Sequence, residues 1–211
     1  SGNAKTISRY YSITGIASKG AFHPKINFLV GDQKVLVFFG SGNITPGGHG
    51  KNHELFMGFY ANSEENSQLP LIQETWEYLV KIACKLDGFV KSRITKVVPS
   101  TCKLLTSKSI NRHNYVRIDE DTEVALIYDD DISIFNQIAN LIPSIEINEI
   151  TIICPYYDKD GVTLLNLANN FPNSQLNVYL QEEFGLPPTE IAENIRIRFY
   201  DWNQTQRSKK Q

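Results

Sequence analysis

The sequence predicts an α/β fold in which a mixed, largely parallel sheet is flanked by helices. From residue 124 onward, short runs rich in Val, Ile and Leu alternate with segments whose apolar residues have helical spacing. Nearer the start, several strand-like runs precede one long amphipathic segment. A chain of 211 residues with 41% hydrophobic side chains can bury a substantial core around such a sheet.

Strands dominate the prediction for the amino-terminal part of the chain. β-branched and aromatic residues indicate strands at Ile7–Ile13, Phe22–Val30, Lys34–Phe39 and Leu55–Tyr60. The near-continuous apolar run of Lys34–Phe39 indicates a strand that is covered on both faces. A helix is predicted over Leu71–Leu86, where apolar residues recur every three or four positions, and we expect it to pack on the sheet.

The second half alternates strands and helices in the order typical of a parallel α/β sheet. The predicted strands are Val124–Tyr128, Ile150–Cys154, Leu176–Leu180 and Ile195–Tyr200. Helices are predicted at Ile132–Leu141 and Val162–Ala168.

Composition narrows the class of protein. With 21 basic and 23 acidic residues the net charge is -2, so a polyanion would have to be held locally and not by a global field. The three cysteines, Cys84, Cys102 and Cys154, lack the spacing of a disulfide framework or a zinc knuckle, which favours a reducing, cytoplasmic setting. No apolar run approaches the roughly 20 residues that a membrane-spanning helix needs, and the start lacks the pattern of a signal peptide.

Polar residues suited to a phosphate group follow one another between positions 23 and 54. His23 and Lys25 are two residues apart, so on a strand they project from the same face and can meet one ligand. Imidazole is a competent nucleophile toward phosphorus near neutral pH, and an ammonium neutralises a phosphate oxygen. Glu54 is the candidate to accept a hydrogen bond from the other imidazole nitrogen and so to fix the tautomer.

A glycine-rich segment after the next predicted strand supplies further donors. Gly40 and Gly42 permit a close approach of the backbone to a ligand, and the amide of Asn43 offers two donors to phosphate oxygens. The hydroxyl of Ser41 can add another. Together these groups require no metal, and the sequence predicts a phosphodiester as the substrate.

The composite pattern resembles the HxK, GSxN and Glu signature of the phospholipase D superfamily. The resemblance implies an α-β-α sandwich, a covalent phosphohistidine, and no cofactor. It assigns catalytic roles to His23, Lys25, Asn43 and Glu54 and substrate binding to Ser41, Gly42 and Thr45. One position departs from the family pattern, since Val30 stands where an aspartate is usual and Asp32 lies two residues later. This departure concerns the structural role that the family gives to that acid.

The family members that process lipids follow the asparagine with an acidic residue and an arginine-serine pair. This chain instead has Ile44-Thr45-Pro46-Gly47-Gly48, which is more similar to the nuclease branch. DNA or RNA is therefore the expected partner, and a membrane is not. The alternatives are a catalytically silent nucleic-acid-binding or assembly module, and a phosphatidyl-transferring lipid enzyme.

A short internal match points to a repeated architecture. Ile197–Tyr200 resembles Ile7–Tyr11, the segment that lies shortly before His23. We therefore expect a fragment of two phospholipase D-like copies, with residues 1–110 belonging to the first and 122–211 to the second. In this family two half-sites cooperate, so the second histidine is expected from the missing part of the second copy or from a homodimer partner.

Overall fold

The computed structural model describes residues 13–17, 22–50, 54–106, 114–129, 131–142, 147–154, 156–181, 187–191 and 194–202. The chain divides into two compact units, residues 1–137 and residues 138–211. The predicted two copies, 1–110 and 122–211, remain a prediction. The predicted strand Ile7–Ile13 lies almost wholly outside the described residues.

The sheet of the first unit is an antiparallel meander. Its strands are β1 (Ile26–Gly31), β2 (Lys34–Gly40) and β3 (Phe56–Ala61), in the order β1-β2-β3. A two-residue turn joins β1 to β2, and such a short connection permits only antiparallel pairing. The short helix α1 (Pro46–Gly50) lies between β2 and β3.

The apolar strand β2 is buried on one face only. Val35 and Val37 are fully buried, whereas Leu36 and Phe38 are half-buried. The prediction that this strand is covered on both faces is therefore wrong. A meander of antiparallel strands needs a helix on one face alone, because no crossover helix is required to connect its strands.

The covering element is helix α2 (Leu69–Cys84), which begins and ends two residues before the predicted bounds. Pro70 lies in its first turn, where a missing N–H costs no hydrogen bond. Trp76 is buried and makes an edge-to-face contact with Phe28 of β1, with ring centroids 5.3 Å apart. This contact fixes α2 on the sheet.

Irregular and short elements follow α2. They are α3 (Phe89–Ser92), a π-helical turn (Arg93–Val97), α4 (Val98–Thr101), a 3-10 turn (Lys103–Leu105), β4 (Val116–Arg117) and β5 (Glu123–Val124). Strands β4 and β5 pair antiparallel over two residues each. The predicted strand Val124–Tyr128 is therefore wrong beyond Val124, since the residues after it have no strand partner in the described part of the chain.

Helix α5 (Ile134–Leu141) carries a buried glutamine that organises the segment before it. The side chain of Gln137 is 2% exposed. Its amide nitrogen donates to the carbonyl oxygens of Tyr128, at 2.7 Å, and Ile132, at 2.6 Å. Its amide oxygen accepts from the N–H of Tyr128 at 3.3 Å. One side chain thus satisfies three backbone groups that form no ladder of their own.

The second unit contains a parallel sheet. Its elements are β6 (Glu149–Ile153), α6 (Val162–Asn170), β7 (Gln175–Leu180), a 3-10 turn (Thr189–Ile191) and β8 (Ile197–Asp201). The strand order is β6-β7-β8, and both pairings are parallel. Leu164 and Ala168 of α6 pack with Leu176, Val178 and Ile197 in the core of this unit.

The mixed α/β class is confirmed, but the sheet is not largely parallel. The described strands form one antiparallel and one parallel sheet of three strands each and one two-stranded sheet. The physical reason is connection length: short turns link β1 to β2, whereas a helix links β6 to β7. No helix within the described ranges is both long and apolar enough to cross a bilayer.

We expect Gln137→Met to lower the free energy of unfolding by about 2–3 kcal/mol, since the substitution keeps the side-chain volume but removes the hydrogen bonds from buried Gln137 to the backbone of Tyr128 and Ile132. Urea denaturation of the whole chain measures the change. Asn136→Leu is the matched control, because this exposed neighbour exchanges an amide for an apolar group without losing a described hydrogen bond. An equal loss in both variants would contradict the bridging role of Gln137.

Candidate active site

The antiparallel sheet gathers the motif segments at one of its ends. Lys25 lies immediately before β1, Ser41 immediately after β2, and Glu54 shortly before β3. The N–H of Gly40 donates to the carbonyl of Lys25 at 3.3 Å, and the N–H of Ser41 donates to the carbonyl of Leu55 at 3.1 Å. The ladder thus extends beyond the strands and aligns all three segments.

Gly40 is required by a close approach of β3. A Cβ atom at this position would lie 2.2 Å from Cδ1 of Phe56 and 2.8 Å from the carbonyl oxygen of Leu55. Distances this short exclude any larger residue unless the strand moves. The glycine therefore sets the spacing between β2 and β3 at the end of the sheet where Ser41 and Glu54 lie.

The hydroxyl of Ser41 connects two neighbouring segments. It donates to Oε2 of Glu54 and accepts from the N–H of Leu55 at 3.1 Å. Its only hydrogen is used by the carboxylate, so in this structure Ser41 holds Glu54 and has no second hydrogen to offer a ligand. The predicted role of Ser41 in substrate binding stays a prediction.

His23 and Lys25 meet, as expected for residues two apart on an extended segment. Nζ of Lys25 lies 3.0 Å from both Nδ1 and Nε2 of His23. The predicted strand begins too early, because β1 starts only at Ile26. Pro24 explains the difference, since it has no N–H to donate to a ladder. His23 is exposed and Lys25 half-buried, which leaves the imidazole accessible.

The segment after Ser41 contains a tight turn. The N–H of Thr45 donates to the carbonyl of Asn43 at 2.8 Å, which closes a tight turn before α1. Asn43 and Thr45 are exposed, so the Asn43 amide faces solvent at the same end of the sheet. Gly42 is buried. Its predicted contact with substrate stays a prediction.

The predicted hydrogen bond between Glu54 and the imidazole is not formed. Within the described residues the side-chain contacts of His23 are with Lys25, and Glu54 instead accepts from Ser41. The segment at 51–53 lies outside the described residues, and His53 with it. The structure therefore brings together two pairs, His23 with Lys25 and Ser41 with Glu54, at one sheet end.

Sequence reasoning missed the part that Leu55 plays. Its N–H and carbonyl both bond to Ser41, while its side chain is 80% exposed. Ile44, next to Asn43, is 82% exposed. The signal in the sequence was an apolar residue directly after Asn43 and directly after Glu54. These two side chains give the polar site apolar neighbours.

Among the described residues, no group of three or more His, Cys, Asp or Glu side chains is arranged to hold a metal ion. The site offers an imidazole, an ammonium and an amide as hydrogen-bond donors, together with a carboxylate that accepts from Ser41. The imidazole, ammonium and amide suit a phosphate group, which accepts hydrogen bonds and is stabilised by positive charge.

We expect Gly40→Ala to lower the free energy of unfolding by about 1–3 kcal/mol, because the new methyl group overlaps the Phe56 ring and the Leu55 carbonyl. Gly58→Ala is the matched control. It places a methyl group on the neighbouring strand, where the nearest atoms are 3.7 Å away. Chemical denaturation of both variants tests the difference, and equal stabilities would show that β3 adjusts freely at Gly40.

Comparison with known proteins adds no relative. No protein-family model, no curated protein and no solved structure matches this chain. The assignment of a function therefore depends on the residues of the motif and on their arrangement at the end of the first sheet.

Proposed function

We propose that the chain is a metal-independent phosphodiesterase of the phospholipase D type, and a nuclease that cleaves DNA or RNA. The observation that carries the proposal is the position of the two side-chain pairs. The pair of His23 with Lys25 and the pair of Ser41 with Glu54 lie at the same end of one sheet, and the exposed Asn43 lies between Ser41 and Glu54 in sequence. One bound phosphate can be reached from such an arrangement by both cationic and neutral donors.

The first chemical step is a displacement at phosphorus. A nitrogen of the His23 imidazole forms the P–N bond while the bond from phosphorus to the leaving oxygen breaks. Lys25 and Asn43 stabilise the negative charge that develops on the non-bridging oxygens. In the structure, Nζ of Lys25 lies 3.0 Å from Nε2 of His23. The ammonium is therefore next to the imidazole that attacks.

The second step hydrolyses the intermediate. Water attacks phosphorus, the P–N bond breaks, and a phosphate monoester is released. The leaving oxygen of the first step needs a proton, and the water of the second step must lose one. A second imidazole performs both transfers, because the ring that is bonded to phosphorus is occupied.

Glu54 acts on the imidazole only after a rearrangement. The exposed ring of His23 turns from Lys25 toward the carboxylate when an anion draws the ammonium away. Ser41 holds that carboxylate in place during the change. The preference for nucleic acid over phospholipid comes from the resemblance of Ile44-Thr45-Pro46-Gly47-Gly48 to the nuclease branch, and it is an analogy between families.

A second candidate function is a phosphate-binding module without turnover. The observation that favours it is the absence of a hydrogen bond between Glu54 and His23 within the described residues. Such a module would bind nucleic acid and leave it intact. A lipid enzyme is a further alternative, and it would act on phosphatidylcholine vesicles under the same conditions.

We expect the chain to cleave labelled DNA or RNA in the presence of EDTA and His23→Ala to abolish this cleavage. Asn43→Ala removes one donor to the developing charge, which costs roughly 3 kcal/mol, or about a hundredfold in kcat. Gel analysis of labelled DNA, RNA and vesicle substrates measures the rates. Binding without cleavage would support the silent module, and activity confined to vesicles would support the lipid enzyme.

Matched controls are available at the opposite end of the same sheet. Lys34 begins β2 and Asn62 follows β3, and both are exposed. We expect Lys34→Ala and Asn62→Ala to cleave as the parent does, whereas Lys25→Ala and Asn43→Ala are impaired. Equal effects at the two ends would contradict a localised site.

We expect cleavage by this chain alone to require association of two copies, because one imidazole cannot attack and protonate in the same step. Specific activity should then rise with protein concentration over the range in which sedimentation velocity detects dimers. A fully active monomer would contradict the two-imidazole mechanism. A chain that stays inactive at every concentration, while a longer version is active, would place the second imidazole in the second copy.

A further inference from the structure

The parallel sheet of the second unit has two unlike faces. One face buries Leu176, Val178 and Leu180 of β7. The other face presents two rungs of neighbouring residues across the three strands, which we call the open face. Its members are Thr151, Asn177 and Arg198 in one rung and Ile153, Tyr179 and Tyr200 in the other.

The open face is accessible and mostly polar. Its residues on β6 and β8 are exposed, and those on the central strand β7 are half-buried. Parallel sheets are normally covered on both faces. A helix that covered this face would meet a hydroxyl, an amide and a guanidinium where the buried face has Leu and Val. The composition therefore favours a polar partner over an apolar one.

Aromatic rings form a stack on the open face. The rings of Tyr179 and Tyr200 lie 5.1 Å apart at an angle of 21°, and Trp202 makes an edge contact with Tyr179 at 5.9 Å. Strand β8 is at the edge of the described sheet, and Tyr200 is 36% exposed. A planar ligand ring can therefore extend the stack on the outer side of Tyr200.

Positive charge lies beside this stack. Arg198 is exposed, and no described acidic side chain forms an ion pair with it. Two acids lie on these strands. Glu149 of β6 is on the same face as Thr151 and accepts from its hydroxyl at 3.2 Å, whereas Asp201 of β8 is paired with Leu180 and belongs to the other face. A ligand with both planar rings and negative charge matches this surface.

We propose that the open face binds single-stranded nucleic acid, with bases stacked on Tyr200 and a backbone phosphate at Arg198. Stacking on aromatic side chains beside a basic groove is the usual way in which proteins hold single strands. The choice of nucleic acid over other anionic ring compounds rests on the proposed function. The binding itself needs no cleavage, so the surface can be tested independently of the candidate active site.

The experiment measures fluorescence anisotropy of a labelled oligothymidylate, and of its RNA counterpart, with the full chain carrying His23→Ala. We expect Tyr200→Ala to raise Kd by about 10- to 100-fold, and Tyr200→Phe, which keeps the ring, to bind as the parent does. Arg198→Gln should raise Kd and reduce the slope of log Kd against log salt concentration by about 0.7. Comparable Kd values for DNA and RNA are expected from stacking.

Tyr115→Ala and Arg93→Gln are the matched controls, since both residues are exposed and lie in the first unit. No binding by the parent, or equal Kd values for Tyr200→Ala and Tyr115→Ala, would overturn the proposal. A preference for duplex over single strands would also overturn it. Cleavage is compared in chains that keep His23. If Tyr200→Ala leaves both cleavage and Kd unchanged, the open face is ruled out and the proposed function stands. If Tyr200→Ala raises Kd but the chain with His23 does not cleave, the open face stands and the proposed function is ruled out.

Discussion

The contact between the Gly40 backbone and the Phe56 ring is the constraint on which the candidate site depends. It lets β3 approach β2 so closely that Ser41 bonds to Leu55 through both its backbone and its side chain. The same alignment brings Glu54 to the Ser41 hydroxyl. On the other side of β2, the bond from Gly40 to Lys25 fixes the segment that carries His23. Gly40 thus contacts the segments that carry both side-chain pairs.

Periodicity in the sequence predicts the regular elements well. Strands β2 and β7 and helices α2 and α6 agree with their predicted bounds to within two residues, because buried apolar faces dictate these positions. The pattern fails at residues 125–128, where apolar residues pack without a strand partner and Gln137 satisfies backbone groups of Tyr128 instead. That hydrogen bond depends on tertiary contact, which a local pattern does not contain.

The motif predicts which residues converge but not how they pair. Spacing alone indicates that His23 and Lys25 share a side of the chain, and the structure brings them together. The bond between Ser41 and Glu54 joins side chains 13 residues apart, which the pairing of β2 with β3 brings together, so it could not follow from motif spacing alone. Parallel or antiparallel pairing was likewise decided by the length of the connections and not by strand composition.

The meander of the first unit has a consequence for the order of folding. Its strands are neighbours along the chain, so its pairings have low contact order and incur a small loop-closure entropy. In the second unit, β6 and β7 can pair only after the segment between them, which contains the crossover helix α6, has been brought back along the sheet. During synthesis from the amino terminus, the groups around His23 can therefore assemble while the rest of the polypeptide is still emerging from the ribosome.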